Sequence, residues 1–189
     1  MSDPTKPPTE VPPRGSRRQS SLVLINTGDG KGKSTAAFGT ALRAVARGWK
    51  VGVVQFLKSG EWSVGEEKVG VQLGIDWWAL GDGFTWDSKS MDESEAVARA
   101  AWAKTTDMIV SDGYDLLVLD EITYPINWHW IDIDDALGVI QARPARLNLI
   151  LTGRDAPGAL VEVADTVTEM RKIKHAFDNG VVARRGIDY

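Results

Sequence analysis

Residues 21–35 read Ser-Leu-Val-Leu-Ile-Asn and then Thr-Gly-Asp-Gly-Lys-Gly-Lys-Ser-Thr, and this stretch decides the architecture. The first six residues are a short apolar run of the kind buried in a sheet, ending in a glycine-rich turn. From Lys33 to Arg47 the apolar residues Ala37, Phe38, Ala41, Leu42 and Val45 recur at helical spacing, and Gly48 stops the pattern. Strand, glycine turn, Gly-Lys-Ser and helix is the context a phosphate-binding loop needs. Glycines let backbone N–H groups turn inward around an anion, and the following helix aims its positive end at the same point. Gly28, Asp29, Gly30, Lys31, Gly32, Lys33, Ser34 and Thr35 are therefore the expected phosphate contacts of a nucleotide. Lys33 adds a mobile positive charge, and the Ser34 hydroxyl can ligate the Mg2+ (or Mn2+) that accompanies a triphosphate. In the usual pattern four residues separate a first glycine from Gly-Lys-Ser/Thr. Here Thr27 holds that position and the first glycine is Gly28.

Outward from the loop, the runs 51–57, 75–80, 116–120, 147–152 and 165–170 read as strands. Helical patterns fall at 91–110, near 132–141 and at 156–163, and the stretch after residue 57 reads as glycine-rich and charged. Continuous apolar strands alternating with helices predict an α/β fold. It is a P-loop NTPase-like, mostly parallel sheet with helices on both faces. The strand Leu-Leu-Val-Leu-Asp runs into Glu121, so that Asp120 or Glu121 would hold the metal directly or through water. Arg43 and Arg154 are further candidates for contact with the nucleotide, with structural roles at a helix and a strand end as the alternative. Trp77, Trp78, Trp128 and Trp130 are expected in the core, with lining of a ligand cavity as the alternative for some, and His175 packed or solvated.

Composition narrows the class. The chain has 189 residues, 43% hydrophobic and 25% charged, which suits one domain with a real core. Lys plus Arg is 22 against 26 Asp plus Glu, a net charge of −4 and a poor basis for binding nucleic acid. No cysteine is present, which removes disulfides and thiolate chemistry and suits a reducing cytoplasm. No apolar run approaches the roughly 20 residues of a membrane span. Residues 1–20 hold five of the eight prolines and almost no large apolar side chain, so they read as a flexible Pro-rich arm ahead of a domain at 21–189.

Six segments, taken in order, carry a resemblance. They are GDGKGKSTAAFGTALRA, VGVVQFLK, GFTWD, LVLDEITYPI, LTGRDAP and the closing KHAFDNGVVARRGIDY, which together resemble the P-loop class of corrinoid adenosyltransferases over residues 21–189. The resemblance implies a homodimer that transfers the 5′-deoxyadenosyl group of ATP to the cobalt(I) of a reduced corrinoid and releases triphosphate. A flavoprotein reductase would be a transient partner. By the same resemblance Glu121 matches the metal-linked glutamate, and Phe84 and Trp86 match two aromatics beside the corrin. The wording EITYPINWHWIDIDDAL is closer to members acting on cob(I)yrinic acid a,c-diamide than to those that salvage cob(I)alamin.

That chemistry fits the side chains available. The sequence has two histidines, His129 and His175, and no evident nucleophile–base pair. Cobalt(I) is itself a nucleophile, so the protein need only position the reactants and stabilise the departing triphosphate. Phe84 and Trp86, two apart in a glycine-flanked loop, would project to one side if extended. There they would press on the corrin and expel an axial ligand. The alternatives are a P-loop ATPase or kinase releasing ADP, and a non-catalytic nucleotide or corrinoid carrier.

Overall fold

The computed structural model describes residues 19–57, 65–81 and 91–188. Apart from its last two residues, the predicted arm therefore lies outside the described part, and so do Phe84 and Trp86. Six strands form one sheet: β1 (Val23–Thr27), β2 (Val51–Gln55), β3 (Asp76–Ala79), β4 (Leu116–Asp120), β5 (Asn148–Thr152) and β6 (Thr166–Glu169). Their order is β3-β2-β4-β5-β1-β6 and every pairing is parallel. All carboxyl ends therefore lie along one edge, where ligands of open parallel sheets bind.

The helices are α1 (Lys33–Val45), α2 (Gly65–Gln72), α3 (Met91–Val110), α4 (Thr123–Asn127), α5 (Ile133–Gln141) and α6 (Gly158–Val163). Strand periodicity divides the core in two. Val51 and Val53, Leu116 and Val118, and Ile150 pack with Ala37, Phe38, Ala41 and Ala44 of α1 on one face. Their strand neighbours Val23, Ile25, Val54, Leu117, Leu119, Leu149 and Leu151 pack on the other face with residues of α3, α4, α5 and α6. Strands apolar at every position thus have helices on both faces, as expected of a parallel sheet.

Two helices depart from the sequence reading. The segment 65–72 is helical although it carries Gly65 and Gly70. Gly70 lies so close to the Trp77 ring that an added Cβ would stand 3.0 Å from it, so packing against β3 holds the helix. The short α4 was also unanticipated. Trp130 is core, as expected, and Trp77 and Trp78 are half-buried. Trp128 is not core: it is 38% exposed, with ring centroids 5.6 Å from Tyr124 and 4.7 Å from Trp130.

Candidate active site

The loop after β1 is shaped by what lies beside it. Gly28 takes φ 94°, and a Cβ there would stand 2.6 Å from the Met170 carbonyl oxygen. Gly30 is buried, its N–H donating to that same carbonyl at 2.6 Å, and its Cβ would strike the backbone of Met170 and Arg171. Gly32 precedes α1 at φ 111°, a left-handed conformation that only glycine adopts without strain. No side chain caps α1 and no acid sits in its first turn, which leaves its leading N–H groups for an external anion. Thr27, at the position of the missing glycine, ends β1, and its Oγ1 accepts the Ala156 N–H at 3.1 Å. It ties the loop to the turn after β5.

Lys33 is half-buried and folds back over the loop. Its Nζ donates to the carbonyls of Gly28 and Gly30, both at 2.7 Å. Burial holds its pKa below the usual lysine value and the Arg154 guanidinium adds to that, while Asp29, Glu121 and Asp120 oppose it. Lys33, Ser34, Glu121, Tyr124 and Arg154 line one cavity of about 270 Å³ at the mouth of the loop. Burial of Tyr124 raises its pKa, so its phenol stays neutral.

The acid pair at the end of β4 divides into two roles. Asp120 is fully buried, with Gln55 Nε2 donating to one carboxylate oxygen at 3.0 Å and the Thr152 hydroxyl to the other at 2.7 Å. Trp77 Nε1 donates to Gln55 Oε1 at 2.9 Å, and the Glu121 N–H donates to Thr152 Oγ1 at 2.9 Å. This network across β2, β4 and β5 sets the backbone at Glu121, which takes φ 65° and lines the loop cavity. Asp120 is thus enclosed in the sheet, while Glu121 lines the open cavity. The sequence reading did not single out Gln55 and Thr152. Their only sequence signal is that Gln55 and Thr152 are polar residues closing apolar strand runs.

The two candidate arginines separate as well. Gly153 takes φ 143°, and any Cβ would collide with Thr123 Oγ1. Thr123 Oγ1 donates to the Arg154 carbonyl at 2.7 Å and Asn127 Nδ2 to the Asp155 carbonyl at 3.0 Å. So α4 anchors the turn that carries Arg154 to the loop, its Nη1 3.5 Å from Asp29 Oδ1. Arg43 sits in the last turn of α1, exposed and donating to Thr40 Oγ1 at 3.1 Å. Ten residues of helix put it about 15 Å along the axis from Lys33, and the structure does not bring it to the loop.

Among the described residues no group of three or more His, Cys, Asp or Glu is gathered for a metal. A hydroxyl at Ser34 and a carboxylate at Glu121 on one cavity are nonetheless hard oxygen donors of the type magnesium takes when phosphate and water complete its shell. Also among the described residues, no helix is long and apolar enough to cross a membrane.

A parallel sheet whose first strand delivers a glycine loop and lysine to a helix N-terminus defines a P-loop-type nucleotide-binding fold. The chain belongs to the family described as ATP:corrinoid adenosyltransferase BtuR/CobO/CobP, whose sequence profile matches residues 19–189. It is 42% identical over 168 residues to the corrinoid adenosyltransferase of Escherichia coli K12, covering 89% of this chain and 85% of that one. The corrinoid adenosyltransferase CobA of Salmonella typhimurium is 41% identical over the same shares. That of Pseudomonas aeruginosa is 39% identical over 92% of this chain and 86% of its own.

Proposed function

We propose that this chain transfers the 5′-deoxyadenosyl group of ATP to the cobalt(I) of a reduced corrinoid, such as cob(I)yrinic acid a,c-diamide or cob(I)alamin. The observation that carries the reading is the cavity where Lys33, Ser34, Glu121 and Arg154 converge at the mouth of the glycine loop. The cobalt(I) electron pair attacks C5′, the C5′–oxygen bond breaks, and its electrons leave on the triphosphate. Lys33, Lys31, Arg154 and the open N–H groups of α1 stabilise that departing charge, the kind of effect that dominates many enzymes. Holding ATP and corrinoid in line contributes at most ~7–11 kcal/mol more. Magnesium, held by Ser34 and Glu121, would supply further neutralisation of the triphosphate.

An assay of cobalt–carbon bond formation tests this. Wild-type protein with ATP, Mg2+ and reduced corrinoid should form the bond, and Glu121→Gln should raise the Mg2+ concentration for half-maximal rate about 10- to 100-fold. An amide binds magnesium less well than a carboxylate. No bond formation in the wild type would overturn the reading, and an unchanged titration would remove Glu121 from the metal.

Phe84 and Trp86 are the groups proposed to expel the axial ligand of cobalt(II). Replacing either with Ala should cost most activity when cobalt must be reduced on the enzyme and least when pre-formed cobalt(I) is supplied. Equal losses from both starting states would assign the two aromatics to ordinary packing. Electron paramagnetic resonance of bound cobalt(II) reads the ligand loss directly.

The protein is proposed to work in the cytoplasm as a homodimer, with a flavoprotein reductase supplying the electron. Support for a second copy comes from the carboxyl-terminal segment, where Ile173, Phe177, Val182 and Ile187 are each 74–83% exposed.

A further inference from the structure

The carboxyl-terminal segment brings an anion to the phosphate loop. A tight turn closes at Arg184, whose carbonyl accepts the N–H groups of Ile187 at 3.1 Å and Asp188 at 2.8 Å. The Arg184 N–H donates in return to Asp188 Oδ2 at 2.7 Å. Gly186 supplies the φ of 79° that lets the chain double back. With one carboxylate oxygen held by its own turn, the other pairs with Lys31 Nζ in the loop. The Asp188 side chain is 22% exposed and lines the same cavity as Lys33, Ser34 and Glu121. Lys31 and the Arg184 N–H hold its carboxyl below the usual carboxylate range, so it is charged at neutral pH.

We propose that Asp188 is an internal competitor for Lys31 that weakens the hold of the loop on polyphosphate and so speeds release of the triphosphate product. The proposal rests on the loop being a polyphosphate site. An incoming polyanion can use Lys31 only by displacing a carboxylate tethered beside it at high effective concentration. Re-pairing of the tethered Asp188 carboxylate with Lys31 then competes with the bound phosphates, which favours departure. Asp188 is a positioning residue here: it acts through Lys31 and forms no bond in the reaction.

The test is calorimetric binding of inorganic triphosphate with Mg2+ to the full chain. Asp188→Asn keeps an acceptor for the Arg184 N–H and removes the charge, so the turn can persist. It should bind triphosphate about two- to five-fold more tightly, the range of partly exposed ion pairs, and release it correspondingly more slowly in stopped flow. Lys31→Ala should weaken binding, and in that background Asp188→Asn should give no comparable gain. Asp188→Glu should restore wild-type affinity. Unchanged or weaker binding by Asp188→Asn overturns the proposal, as does an equal gain without Lys31. A wild-type chain that binds no triphosphate would refute the loop assignment itself, and this proposal with it.

Discussion

Lys33→Ala is expected to lower turnover about 100- to 1,000-fold at saturating ATP while leaving the chain folded. In the free protein its ammonium rests on the carbonyls of Gly28 and Gly30 at the mouth of the cavity, within the fields of Asp29 and Glu121. Neither contact joins the hydrophobic core, so the loss in stability should be about 1 kcal/mol. The loss in rate should be far larger, because charge builds on the triphosphate only as the C5′–oxygen bond breaks. Circular dichroism and thermal melting check the fold, and steady-state kinetics the rate. A folded variant with wild-type turnover would show that the lysine does not serve the leaving group.

The second large effect is Gly28→Ala, which should both destabilise the protein and disable the loop. At φ 94° an L-residue is strained, and the new Cβ would sit 2.6 Å from the Met170 carbonyl. Strain and overpacking together give about 2–5 kcal/mol. Relief requires separating the loop from the segment after β6, which also costs the Gly30 N–H to Met170 hydrogen bond. The apparent KM for ATP should rise at least tenfold even at low temperature, where the variant remains folded. A melting temperature and KM both close to wild type would contradict the role given to this close approach.

Much of this site could be read before any coordinates. The apolar runs of β1, β4 and β5 have no other economical reading than buried parallel strands, and Gly-Lys-Ser between strand and helix carries its own physics. What escaped depended on partners distant in sequence. Helix α2 has two glycines in eight residues and exists because Gly70 fits against Trp77. Helix α4 is too short for a periodicity to show. Asp120 and Glu121 are adjacent acids of equal local promise. They are told apart by Gln55 and Thr152, which lie beside Asp120 in the sheet and leave Glu121 to turn outward. Arg43 and Arg154 looked alike for the same reason: only the anchoring of the turn after β5 by Thr123 and Asn127 brings one of them to the loop. Trp128 lies between the buried Ile126 and Trp130, yet it stands at the exposed end of α4.

The claim that the loop holds a leaving group, instead of a phosphate to be transferred, is tested most directly by the identity of the phosphorus product. Full-length protein is incubated with ATP, Mg2+ and chemically reduced corrinoid, and the mixture is followed by phosphorus-31 NMR alongside the absorbance of the alkylated corrinoid. The account predicts inorganic triphosphate, one molecule for each cobalt–carbon bond formed. ADP with phosphate or a phosphorylated acceptor, appearing in step with ATP loss, would contradict it.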